Sequence, residues 1–143
     1  RQATETPHCH LSAHFRSQGA AEEISKAKIR SPEHYHGWCC QNLRHEHIVP
    51  VGEIIDMMIR EAHVTEDFIV QLLRTNGLRA TIHRDEDKIL NKHGFAKKMP
   101  ASYWAAGSPY YRDPLARYKE ASLFDSLVPL AGTSWFQVRS NRS

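Results

Sequence analysis

Two amphipathic helices in immediate succession, bracketed by Pro50 and by Asn76-Gly77, constrain the fold more than any other feature of the chain. From about Gly52 to His63, the residues Ile54, Ile55, Met58, Ile59 and Ala62 form a one-sided apolar stripe at helical spacing. Thr65 is well placed to cap the next helix, with Glu66 and Asp67 in its first turn. That helix carries Phe68, Ile69, Leu72 and Leu73 on one face and stops at Asn76-Gly77. The flanking segments read differently. Leu43 to Val49 roughly alternates charged and apolar positions before an Ile-Val pair, and Leu78 to Ile82 reads as a second strand; both predict strands. The expected class is α+β: a short two-stranded β element, interrupted by a helical insertion and surrounded by further helices.

The remaining segments fit around this frame. A helix is predicted over Ala20–Ile29, ended by Ser31-Pro32. Asp85 is expected to cap a third helix that runs to Leu90 or Asn91 and ends near Gly94. Met99 to Asp113, with Trp104 and three tyrosines, reads as an ordered loop, and Asp113-Pro114 opens a last helix. Leu127 to Val138 predicts a strand pair turning at Ala131-Gly132-Thr133. A length of 143 residues suits a single domain over 1–143, with residues 1–8 expected to be flexible. No apolar run approaches the roughly 20 residues of a membrane helix, and the start of the chain lacks the apolar stretch of a secretory signal. Three cysteines, two of them adjacent, do not suit a disulfide framework, so a reducing, cytoplasmic setting without membrane attachment is expected.

Chemistry concentrates in the histidines. Seven of the ten lie between His8 and His47. His45-Glu46-His47 sits within the first predicted strand, where residues two apart share a face. The two imidazoles then point one way and Glu46 the other. Such a pair can bind a metal jointly, or one ring can bind while the other acts as a base. Solvated polar strand edges also carry such residues.

The run Glu46-His47-Ile48-Val49-Pro50 resembles the first strand of the ββα-metal nucleases, the HNH group, in which an acid or imidazole beside a histidine is followed by two apolar residues and proline. The later order, strand Ala80-Thr81-Ile82 and then Arg84-Asp85-Glu86-Asp87 opening a helix, is similar to the second half of that motif. The resemblance spans about residues 43–93. It implies a metal-dependent endonuclease acting on phosphodiester bonds, with His47 as the base and His45 and Glu46 beside it in the catalytic group. A divalent ion (Mg, Mn, Ni or Zn) would be held by Glu46, Asp87 and Asn91. Strand geometry puts Glu46 and His47 on opposite faces, so this assignment requires a bend or bulge there, whereas a His45–His47 pair does not. The chain departs from the group in its helical connection between the strands and in lacking CxxC zinc pairs.

Cys9, His10, His14, His34, His36, Cys39 and Cys40 are potential zinc ligands, but their spacing matches no standard finger. A basic and aromatic stretch from Lys92 to Arg117 could meet nucleic acid, with Lys92, Lys97, Lys98 and Arg112 as phosphate contacts, and the net charge of +3 permits such a partner. Homodimerisation is a further expectation. Two alternatives stand beside the nuclease reading. One is a non-catalytic interaction module that presents the two-helix surface. The other is a metal-dependent hydrolase with a different substrate, although HExxH, GxSxG and Walker patterns are absent.

Overall fold

The computed structural model describes residues 14–26, 37–38 and 41–130. The elements run β1 (Phe15–Ser17), α1 (Gln18–Lys26), β2 (Leu43–His47), α2 (Val51–Arg60), α3 (Glu66–Asn76), β3 (Arg79–His83), α4 (Arg84–Lys92), α5 (Ala101–Trp104), α6 (Ala116–Glu120), a 3-10 turn (Phe124–Ser126) and β4 (Leu127–Pro129). The class is α+β, as expected. The sheet, however, has four strands rather than two, in the order β2-β3-β1-β4. β2 and β3 are antiparallel, β1 lies parallel to β3, and β4 is antiparallel to β1 on the far edge. β1, at three residues, is too short to show a periodicity in sequence, while β4 starts at Leu127 as the predicted strand pair does.

The helix ends follow local chemistry. Thr65 caps α3 as expected, its side-chain oxygen accepting from the Phe68 amide at 3.1 Å. α4 starts differently from its prediction: His83, not Asp85, is the cap. Its Nδ1 accepts from the Asp85 amide at 3.2 Å, and Glu86 reaches back to the His83 amide at 2.8 Å, a reciprocal box. Gly94 follows with φ +79, the left-handed conformation that glycine adopts without a Cβ penalty. The expected loop over Met99–Asp113 contains the short helix α5, and α6 starts three residues after Asp113. The Asp113 carboxylate accepts from the Leu115 amide at 3.0 Å, closing the turn before the helix.

The main core lies between the sheet and the α4–α6 region. Phe15, Ala80 and Ile82 from the strands meet Leu90, Leu115 and Tyr118. A second cluster of Val49, Ile54, Met99, Tyr103 and Ala116 anchors the α2–α3 hairpin. A third, smaller cluster packs Ala20 of α1 on Leu43, with Ile24 and Trp38 beside them. Among the described residues, no helix is long and apolar enough to cross a membrane. The expectations for residues 1–8 and for the turn at 131–133 fall outside the described residues, as do Cys9, His10, His34, His36, Cys39 and Cys40 of the zinc expectation.

Candidate active site

β2 pairs with β3 in unbroken register over five positions: Leu43 opposite His83, Arg44 opposite Ile82, His45 opposite Thr81, Glu46 opposite Ala80, and His47 opposite Arg79. There is no bulge. Glu46 and His47 therefore lie on opposite faces, and the bend that a shared His47–Glu46 site requires is not present.

Arg44 and Glu46 face the core and α4. Glu46 forms an ion pair with Arg117, a guanidinium only 1% exposed. Arg117 also donates to three backbone carbonyls: Nε to Ile48 O at 2.7 Å, Nη1 to Phe95 O at 2.7 Å, and Nη2 to His47 O. One buried cation thus ties the exit of β2 to the segment after α4. Burial pushes the Glu46 carboxyl above its usual range; Arg117 opposes that shift and Asp87 reinforces it. Tyr118, buried beside Glu46, is likewise pushed up, chiefly by burial. Asp87 takes up Arg44 at 3.8 Å and lies 3.5 Å from the Asn91 amide nitrogen, so the i, i+4 spacing does bring those two together. The acids of this face are matched by arginines: Glu46 with Arg117 and Asp87 with Arg44.

The other face carries His45 and His47. His45 is exposed, and its Nδ1 sits 3.2 Å from Thr81 Oγ1. Partial burial lowers both imidazoles below the ordinary histidine range, and the Arg79 guanidinium lowers them further. Both rings are therefore neutral near neutral pH, the form that accepts a proton or binds a metal. The two histidines line a cleft of about 380 Å³ at the β2 edge of the described sheet. Its other walls are Glu46, the first turn of α2 (Pro50, Val51 and Gly52), Ala96, Lys97 and Arg117. No side chain caps the α2 N-terminus, so its first amides and the helix dipole favour an anion there.

Of the residues expected to contact phosphate, Lys97 is at this cleft. Lys92 and Lys98 are exposed and are not among its lining residues. Arg112 belongs elsewhere. Its guanidinium lies 5.2 to 5.9 Å from the rings of Tyr103, Trp104 and Tyr111, and it lines a separate hollow with residues of α2 and α3. Among the described residues, no three His, Cys, Asp or Glu side chains converge on one point where a metal would be held. The available donors divide into the His45–His47 pair on one face and the Glu46–Asp87 group on the other. The imidazole pair would suit a borderline divalent ion as two of its nitrogen donors. The carboxylates are already engaged by arginines.

Two residues central to this region have roles that the sequence does not assign. Arg117 reads in the sequence as the last cation of the basic and aromatic stretch, but the structure buries it at 1% exposed against Glu46; its place between Leu115 and Tyr118 in an apolar helical pattern is a signal for that. Arg79 opens the predicted second strand, and its role follows only from the register that sets it opposite His47. Comparison with known protein families, with curated proteins and with solved structures finds no match for this chain.

Proposed function

We propose that the protein is a metal-assisted endonuclease that hydrolyses phosphodiester bonds of nucleic acid in the cleft at the β2 edge. The observation that carries this reading is the pairing of two neutral imidazoles, His45 and His47, with an anion-attracting wall made by the α2 N-terminus and Lys97. A scissile phosphate resting on that wall has its charge offset by the helix dipole and the lysine. His47 takes a proton from the attacking water, and His45, fixed by Thr81, acts as its partner on the same face. A divalent ion, when bound, supplies Lewis-acid stabilisation of the phosphate and the leaving oxygen. His45 and His47 are the donors that fit it best, and Glu46 with Asp87 and Asn91 form the alternative set.

Cleavage of plasmid and single-stranded substrates with Mg²⁺, Mn²⁺ or Zn²⁺ tests this reading, with EDTA and His47→Ala as controls. Metal-dependent cutting that both controls abolish is the expected result. A folded protein that cuts neither substrate with any of these ions overturns it. The non-catalytic reading draws on a different observation, the stripe of Val51, Ile55 and Ile59 along α2, which are 47%, 46% and 75% exposed. On that reading, changing His45, Glu46 and His47 to alanine together leaves partner binding intact.

A further inference from the structure

The hollow lined by Arg112 shares no residue with the β2-edge cleft. Residues of α2 and α3 form most of it, and it measures about 360 Å³, within the range of small-molecule sites. Its most buried polar groups are joined to each other. Tyr103 and Asn76 are 1% and 5% exposed, and the Tyr103 hydroxyl donates to Asn76 Oδ1 at 3.1 Å. The Asn76 amide nitrogen donates to Leu72 O at 3.1 Å, which ties the pair to α3. Met57, Phe68 and Leu72 add half-buried apolar surface. Glu61, at the end of α2, supplies a carboxylate.

Arg112 has φ 55, in the left-handed region that glycine enters without strain. Its amide donates to Tyr103 O at 2.9 Å, which accounts for the backbone but not for an arginine side chain there. Strained non-glycine backbone concentrates at functional positions. The guanidinium is set among the Tyr103, Trp104 and Tyr111 rings. Hydrogen bonds to the two tyrosines leave most of its five donors for a ligand. Among the described residues, no ion pair includes Arg112 or Glu61. Glu61 Oε1 accepts from the His63 amide at 3.4 Å. Two opposite charges therefore line one hollow without pairing with each other.

We propose that this hollow binds a free α-amino acid with an apolar side chain, its carboxylate on Arg112, its ammonium on Glu61 and its side chain against Met57, Phe68 and Leu72. A purely anionic ligand would meet Glu61, and a purely cationic one would meet Arg112; a zwitterion uses both. The planar guanidinium matches a carboxylate with two parallel hydrogen bonds. An aromatic side chain suits the Phe68 ring and the Met57 thioether. The site stands apart from the nuclease reading and does not depend on it.

The experiment is titration of the full chain with L-phenylalanine, followed by NMR and calorimetry. Saturable shifts of the Met57 and Leu72 methyl signals and of the Arg112 side-chain signals are expected, and their absence overturns the site. Phenylalaninamide lacks the carboxylate, N-acetylphenylalanine lacks the ammonium and glycine lacks the side chain. Each is expected to bind at least about 10-fold more weakly. The amide stands for the first residue of a peptide and the N-acetyl form for the last, so equal or tighter binding of either overturns the free amino acid. Arg112→Gln should remove the preference over the amide, and Glu61→Gln the preference over the N-acetyl form. Retention of both preferences in folded variants overturns the assignment of the two charges. The ligand series itself needs no variant, so it decides the proposal even where a variant fails to fold.

Discussion

β2 presents two faces that differ in one respect above all. Toward α4, two acids meet two arginines: Glu46 meets Arg117 and Asp87 meets Arg44. On the other face, His45 and His47 meet Arg79, a cation beside two bases. Three consecutive residues thus serve two purposes, because a strand alternates sides at each step. The paired face is organised for stability, since unpaired buried charge is costly. The other face carries bases whose imidazoles are held below their ordinary value beside the Arg79 guanidinium, an arrangement suited to taking up protons rather than to holding the fold together.

The comparison breaks most visibly at Arg117. Arg117→Met leaves Glu46 without its counter-charge and three carbonyls without their donor, and is expected to cost about 3–5 kcal/mol in urea unfolding. Adding Glu46→Gln should recover part of that loss, because the uncompensated charge is removed. A full-sized loss in the double variant would show that the carbonyl contacts, not the ion pair, dominate.

His47→Ala is the counterpart on the other face. It should lower cleavage by about 10²–10⁴-fold while changing unfolding free energy by no more than about 1 kcal/mol. Loss of fold with loss of cleavage would place His47 on the structural side of the contrast.

Acid provides a smaller and graded test. His14, His45 and His47 all have folded-state values below 6.5, lowered mainly by burial and further by Arg79. The unfolded chain therefore binds these protons more readily, and stability falls as pH drops below about 6.5 toward the folded values. Glu46 acts in the opposite sense: its raised value returns stability as pH falls through it toward 4.5. The thermal midpoint should accordingly decline from about pH 7 to about pH 5, and His45→Ala with His47→Ala should flatten that decline. An equally steep decline in the double variant would assign it to other groups.

The smallest effect is expected at Asp87. Its arginine partner is 43% exposed, so Asp87→Ala should cost under about 1 kcal/mol. If the same variant abolishes metal-dependent cleavage, the Glu46–Asp87–Asn91 set is the metal site and the division of roles between the two faces needs revision.

Elements whose chemistry is local were legible in the sequence. The α2–α3 hairpin, the Thr65 cap and the stop at Gly77 each depend on residues within a turn of one another. The His45-Glu46-His47 segment could be placed on a strand for the same reason. What escaped notice depends on partners distant in the chain. His83 could not be preferred to Asp85 as the cap of α4 because both residue types accept an amide, and only the backbone path chooses between them. β1 is three residues long and exists because neighbouring strands supply its hydrogen bonds, whereas β4 begins at Leu127, where a strand was expected. Arg117 acquired its role from carbonyls at positions 47, 48 and 95.

That last feature has a temporal side. His47 and Arg117 are 70 residues apart. At roughly 5–20 residues per second of synthesis, several seconds pass between the appearance of the histidine and that of the guanidinium that fixes the backbone beneath it. Until then Glu46 has no buried counter-ion and the turn into α2 has no clasp. The chain therefore acquires the geometry of the β2-edge cleft late in its own production, and a nascent fragment ending before Arg117 should carry the histidines but not the formed cleft.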